Sequence, residues 1–130
     1  MTRKTLVPEL RDADSRKALA EVVSALLGRW QLTAADRLAL LGLEGRAEPK
    51  PGEALPDNPA LLERAGHLLA IDRALARLYP YQPGLRDRWV SLAEPRLAGR
   101  RPLDVMLAGG IEGIRAVRDL VESRTGTRTG

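Results

Sequence analysis

The sequence has no cysteine, no phenylalanine and one histidine among its 130 residues. Without cysteine there are neither disulfides nor thiolate metal sites. A single histidine removes the commonest remaining ligand, so no metal site is expected. Motifs that cradle phosphates or dinucleotides and the strained serine turn of the hydrolases are also missing, and with them any sign of a cofactor. Carboxylates are scattered and pair with arginines at helical spacing, the pattern of a solvated helix face; no catalytic residue and no enzyme activity are expected. No apolar run approaches the roughly 18 residues of a membrane span, and Arg3, Lys4, Glu9, Arg11 and Asp12 interrupt the start before a signal peptide takes shape. The expected location is cytoplasmic.

What the chain does contain is alanine, leucine and arginine, with few β-branched residues, a bias toward helix. The predicted class is all-α, a compact bundle of about six helices. The net charge of +4 is unevenly placed: residues 1–60 carry nine basic and nine acidic side chains, residues 61–130 twelve arginines against eight acids. A basic surplus confined to the second half suits an acidic or phosphate-bearing partner surface.

The first eleven residues lack periodicity and read as a loose arm. A helix is predicted from Asp14 or Ser15, its apolar face made by Leu19, Val22, Val23, Leu26, Leu27 and Trp30. After a corner at Gln31 and Leu32, Thr33 with Asp36 opens a short second helix that Gly42 ends. Residues 44–59 hold Gly45, Pro49, Pro51, Gly52, Pro56 and Pro59 and read as an extended loop. Asn58 and Pro59 then start the longest helix, reaching Tyr79. Its apolar arc comprises Leu61, Leu62, Ala65, Leu68, Leu69, Leu75, Ala76 and Tyr79, with Ile71 and Leu78 on one side, and the helix is expected to be central. Asp72 projects from the middle of that arc and needs a partner. His67 falls on the polar side near Arg64 and Ala74. A short helix containing Leu85 and Trp89 and a bend at Glu94 and Pro95 precede two last helices. The first begins at Pro102 and stops at Gly109 and Gly110. The second buries Ile111, Ile114, Val117, Leu120 and Val121 and pairs Arg115 with Asp119 and Arg118 with Glu122. The closing TGTRTG reads as mobile.

Helices one and two open like a helix-turn-helix, but the next segment is interrupted by proline and holds four acids against two bases, unlike a recognition helix. A DNA-binding regulator acting on its own operon is the alternative function.

Three stretches in order carry a resemblance: LLERAGHLLAIDRALARLYP (61–80), RWVSLAEPRLAGRRPLDVMLAGG (88–110) and IEGIRAVRDLVE (111–122). Together they resemble the toxin-binding domain of the bacterial Xre/MbcA/ParS antitoxins. RWQLTAADRLALLGL (29–43) looks like the helix-turn-helix remnant such proteins carry. The resemblance implies two regions, 1–60 with the degenerate helix-turn-helix and proline-rich loop, and 61–130 as the toxin-binding domain. It implies a type II toxin–antitoxin role in which the partner is a RES-domain toxin that consumes NAD by ADP-ribosyl transfer or degradation, its active site occluded by the antitoxin. A homodimer or a toxin–antitoxin hetero-oligomer is the implied assembly. A pocket built for a pyrophosphate is rich in cations, so carboxylates or a chain end can fill it while arginines hold an acidic rim. The candidate toxin-binding residues are therefore Arg100, Arg101, Asp104, Arg115 and Arg118, supported by Trp89 and Met106, with the tail after Glu122 as a second element entering the cleft.

Overall fold

A computed structural model describes residues 12–126. The arm expected before residue 12 and the four residues after 126 lie outside that range. The Asp12 carboxylate accepts the Ser15 amide at 2.7 Å and caps α1 (Ala13–Arg29), slightly earlier than the spacing predicts. α1 buries Leu19, Ala20, Val23, Leu26 and Leu27, and Trp30 follows them into the core. Val22 does not join them: it is 50 % exposed, because it stands about a quarter turn from the centre of that face.

The corner is made by Gln31 at φ 59°, whose amide bonds the Gly28 carbonyl while that of Leu32 reaches back to Leu27. Thr33 then accepts the Asp36 amide and opens α2 (Ala34–Leu41). Gly42 closes α2 at φ 76°, which lets the Leu43 amide bond the Leu38 carbonyl and turns Leu43 inward.

The proline-rich segment forms no helix, yet it is firmly attached. Leu55 is buried and exchanges two hydrogen bonds with Arg16, its amide to the Arg16 carbonyl and its own carbonyl to the Arg16 guanidinium. Arg37 grips Glu48 through two bonds of 2.9 and 2.7 Å and also donates to Ser24 of α1.

Asn58 caps α3 (Pro59–Leu78), with Pro59 in the first turn where its missing amide costs nothing. α3 packs most extensively on α5 and also touches α1, α2 and α4, so the predicted central helix is central. Leu61, Leu62, Ala65, Leu68, Ile71 and Leu75 of the predicted face are buried and Leu69, Ala76, Leu78 and Tyr79 half-buried, while Ala70 and Ala74 are buried too, although Ala74 was expected on the polar side. The small side chains are what allow neighbours to close on that flank too.

α4 (Pro83–Arg88) is a short helix that tightens into a 3-10 turn at Trp89–Ser91, and a second such turn spans Pro95–Leu97. α5 (Pro102–Thr125) is two helical limbs joined at Gly110, whose φ 60° and ψ −140° only glycine adopts readily. The predicted break at the glycine pair is thus a kink, and the second limb runs past Glu122 to Thr125, where Gly126 closes it. Beyond the kink the limbs nearly touch. A Cβ on Gly113 would stand 2.2 Å from the Val105 carbonyl oxygen and 3.2 Å from the Met106 Cα. One buried cluster joins Leu26, Leu41, Leu55, Leu68, Met106 and Ile114, so residues from both regions expected of the sequence share a core.

Gly113→Ala is expected to lower the unfolding free energy by about 3 kcal/mol or more, because the atoms in the way are backbone. Gly109→Ala meets nothing within 4 Å and should cost nothing measurable. Urea titrations of the two variants check this, and equal midpoints would mean that the limbs part easily.

Candidate functional site

The stretch leading into α5 is organised around one buried carboxylate. Glu94, 5 % exposed, is the buried charged residue of the described chain. Its backbone amide donates to the Arg100 carbonyl at 3.0 Å, and its own carbonyl accepts the amides of Leu97 and Gly99. Its side chain accepts the Arg96 amide at 2.7 Å and faces Arg124 of α5 at 3.5 Å. Residues 94–100 therefore close into a loop on themselves, with Ala98 and Gly99 both left-handed. A buried carboxylate needs this many donors to stay inside.

The candidate residues divide into three groups. Arg100 is exposed, with no ion pair among the described residues, and Arg101 beside it holds Asp104 through bonds of 2.8 and 2.7 Å. The Arg101 hydrogen bond keeps the Asp104 carboxyl below its ordinary range, so the pair is ionised at neutral pH. Trp89 and Met106 lie in the core, 5 % and 1 % exposed. They can support this edge only from beneath and do not face solvent.

Arg115 and Arg118 do a different job, tying α5 to α3. Arg115 bonds Glu63 and also Glu112, where Asp119 was the expected partner. Arg118 takes Glu122 at 3.0 Å as predicted and donates to His67 Nδ1 at 2.9 Å, while His67 Nε2 lies 3.1 Å from Glu63. With Arg118 only able to donate, His67 accepts at Nδ1 and carries its proton on Nε2. His67 thus bridges Arg118 of α5 and Glu63 of α3. The Arg115 hydrogen bond, then that of His67, hold the Glu63 carboxyl below its usual range.

At the far end of α1, Asp72 has the partner its position requires. Arg29 donates to it at 3.3 and 3.0 Å and to Asp87 of α4 at 3.0 Å, fastening three helices at one guanidinium. Among the described residues no group of three or more His, Asp or Glu stands where it could hold a metal, and no helix is long and apolar enough to cross a membrane.

Comparison with known proteins places the chain in a family. A protein of Sinorhizobium fredii (strain NBRC 101917 / NGR234), described as uncharacterized protein y4oB, is 32 % identical over 120 residues, covering 88 % of this chain and 91 % of the relative. The chain belongs to the y4oB family. No protein-family model matches it, and no solved structure does.

Two expectations follow. Glu94→Ala should cost about 2–3 kcal/mol, since it unties the loop and leaves donors unpaired, whereas Asp104→Ala on the exposed edge should be nearly silent by chemical denaturation. Glu63 sets a pH dependence: a carboxyl depressed in the folded state adds stability that is fully present above its unfolded value and fades as pH falls through the folded one. Wild type should exceed Glu63→Gln slightly at pH 7, and the gap should close as the pH falls through the folded carboxyl's range, which lies below the ordinary glutamate value; a gap that grows on acidification would reverse the assignment.

Proposed function

We propose that the chain is a toxin-neutralising binding protein of the Xre/MbcA/ParS kind, whose partner is a RES-domain toxin that consumes NAD. The observation that carries the reading is the exposed Arg100, unpaired among the described residues and presented next to the Arg101–Asp104 pair by a loop pinned at Glu94. This edge falls within the GRRPLD stretch on which the resemblance rests. A rigid loop loses little conformational freedom on docking, so its contacts convert more fully into affinity.

In this reading Arg100 and Arg101 meet acids on the toxin's rim, and Asp104 offers a carboxylate to the cations that would otherwise hold pyrophosphate. Exchange of the Arg101–Asp104 pair for two intermolecular pairs desolvates all four groups, which favours complementary charge over raw affinity. Arg115 and Arg118 contribute by holding α5 against α3. The protein itself catalyses nothing in this proposal, and its assembly is a homodimer or a toxin–antitoxin hetero-oligomer. An operator-binding role has less support, since residues 44–58 form no helix to follow α2 into a groove.

The proposal predicts that the neighbouring reading frame encodes a RES-domain protein, and co-expression of the two tests it. Wild type should restore growth and copurify with the toxin, while Arg100→Glu/Arg101→Glu should retain its helical circular dichroism and bind at least about tenfold more weakly. Failure of wild type to restore growth would sink the reading; unchanged affinity of a folded double variant would move the interface away from this edge.

A further inference from the structure

The charge left free on the second half of the chain is of one sign. Glu63, Asp72, Asp87, Glu94, Asp104, Glu112 and Glu122 are each held by an arginine. Arg73, Arg77 and Arg88, by contrast, are exposed and have no ion pair among the described residues. They belong to the stretch between Asp72 and Glu94, where four arginines stand against the single acid Asp87. Arg29 holds Asp87 at 3.0 Å and Arg86 faces it at 3.7 Å, so it offsets none of the three.

Their placement is regular. Arg73 and Arg77 stand on successive turns of the outer face of α3, about 6 Å apart along its axis. The helix ends one residue after Arg77, and the chain turns at Tyr79–Gln82, where the Gln82 amide donates to the Tyr79 carbonyl at 3.4 Å. Pro80 within the turn and Pro83 in the first turn of α4 stiffen the backbone on both sides of Tyr81. Arg88 reaches back to this corner: its Nη1 lies 3.2 Å from the place a Cβ on Gly84 would occupy, three residues past Tyr81.

Tyr81 itself is 91 % exposed. With both tryptophans buried and Tyr79 half-buried, it is the aromatic face that the fold leaves to solvent. On so stiff a turn, little freedom is lost when the ring makes a contact.

The combination selects the ligand. Cations repeated at the step of a helical turn suit a chain of evenly spaced anions, and an aromatic face beside them suits a flat ring. A single-stranded nucleic acid offers both. A duplex keeps its bases stacked inside and leaves Tyr81 unused, while an acidic peptide supplies charge without rings. We propose that the outer face of α3 and the turn at Tyr81 bind single-stranded nucleic acid. Arg73 and Arg77 take neighbouring phosphates, a base stacks on Tyr81, and Arg88 takes the phosphate beyond it. The surface does not use the Arg100 edge and stands independently of the toxin reading.

Fluorescence anisotropy of a fluorescein-labelled oligothymidylate of about 15 nucleotides, titrated with the full chain, tests this. At low salt wild type should bind with Kd on the order of ten micromolar, and log Kd should rise with log salt concentration at a slope of about 2, as three phosphate contacts require. Arg73→Gln/Arg77→Gln should bind at least about tenfold more weakly, with the slope cut below about 1. Tyr81→Ser should lose at least about fivefold with the slope unchanged, and Tyr81→Phe should keep wild-type affinity. All three variants should keep the wild-type circular dichroism, since these side chains are exposed. No binding at low salt, equal affinity for the duplex with oligoadenylate or for polyglutamate, or undiminished binding by Tyr81→Ser would each overturn the proposal. So would an equal loss from Arg96→Gln, another exposed arginine without an ion pair among the described residues.

Discussion

The contact on which the fold depends is the one between Gly113 and the Val105 carbonyl. At Gly110 the last helix breaks in a conformation reserved for glycine, and its second limb then comes so close to the first that no side chain fits at position 113. Both limbs bear on the core from this junction, one through Leu103 and Met106, the other through Ile114, Val117 and Val121. α3 packs against α5 more than against any other element, and its buried alanines give it a second flank for closing on neighbours. Sequence, packing and topology meet here: two glycines, 110 and 113, set the geometry, and the bundle forms around it.

Charge then fixes the outside of that frame. Several arginines tie elements together: Arg29 joins α1 to α3 and α4, Arg37 holds the proline-rich loop to α1, and Arg115 and Arg118 fasten α5 to α3. Such exposed or half-exposed pairs contribute little stability individually, so their main effect is to set relative positions. About half of the arginines in the second half of the chain are engaged in this way; Arg73, Arg77, Arg88, Arg96 and Arg100 stay exposed without an ion pair among the described residues, and of these Arg100 stands beside the Arg101–Asp104 pair.

Much of the fold was legible because it rests on local rules. Thr33, Asn58 and Gly42 cap as their residue types predict, the glycine pair breaks the last helix, and Asp72 at the centre of an apolar arc found an arginine. The parts that escaped are long-range. Nothing near position 113 in the sequence reveals that Val105 will approach it, Ala74 reads as polar-side until a second neighbour covers it, and Arg115 chose Glu63, fifty-two residues away, over Asp119. For the candidate site, the resemblance and the basic surplus of the second half pointed to the GRRPLD edge and added Trp89 and Met106 to the arginines as apolar support. Burial separates them, and periodicity over so short a stretch does not carry that distinction. Glu94 was visible only as a bend residue, although a lone acid beside a proline and ahead of two glycine-flanked arginines was the available signal.

The account's central claim is that a partner docks on the rigid loop before α5. Hydrogen–deuterium exchange of the full chain, alone and with the purified RES-domain protein, tests it most directly. The expected result is slowed exchange concentrated at residues 94–104, with α1 and α2 unchanged. Protection confined to residues 13–42, or none at all, would contradict it.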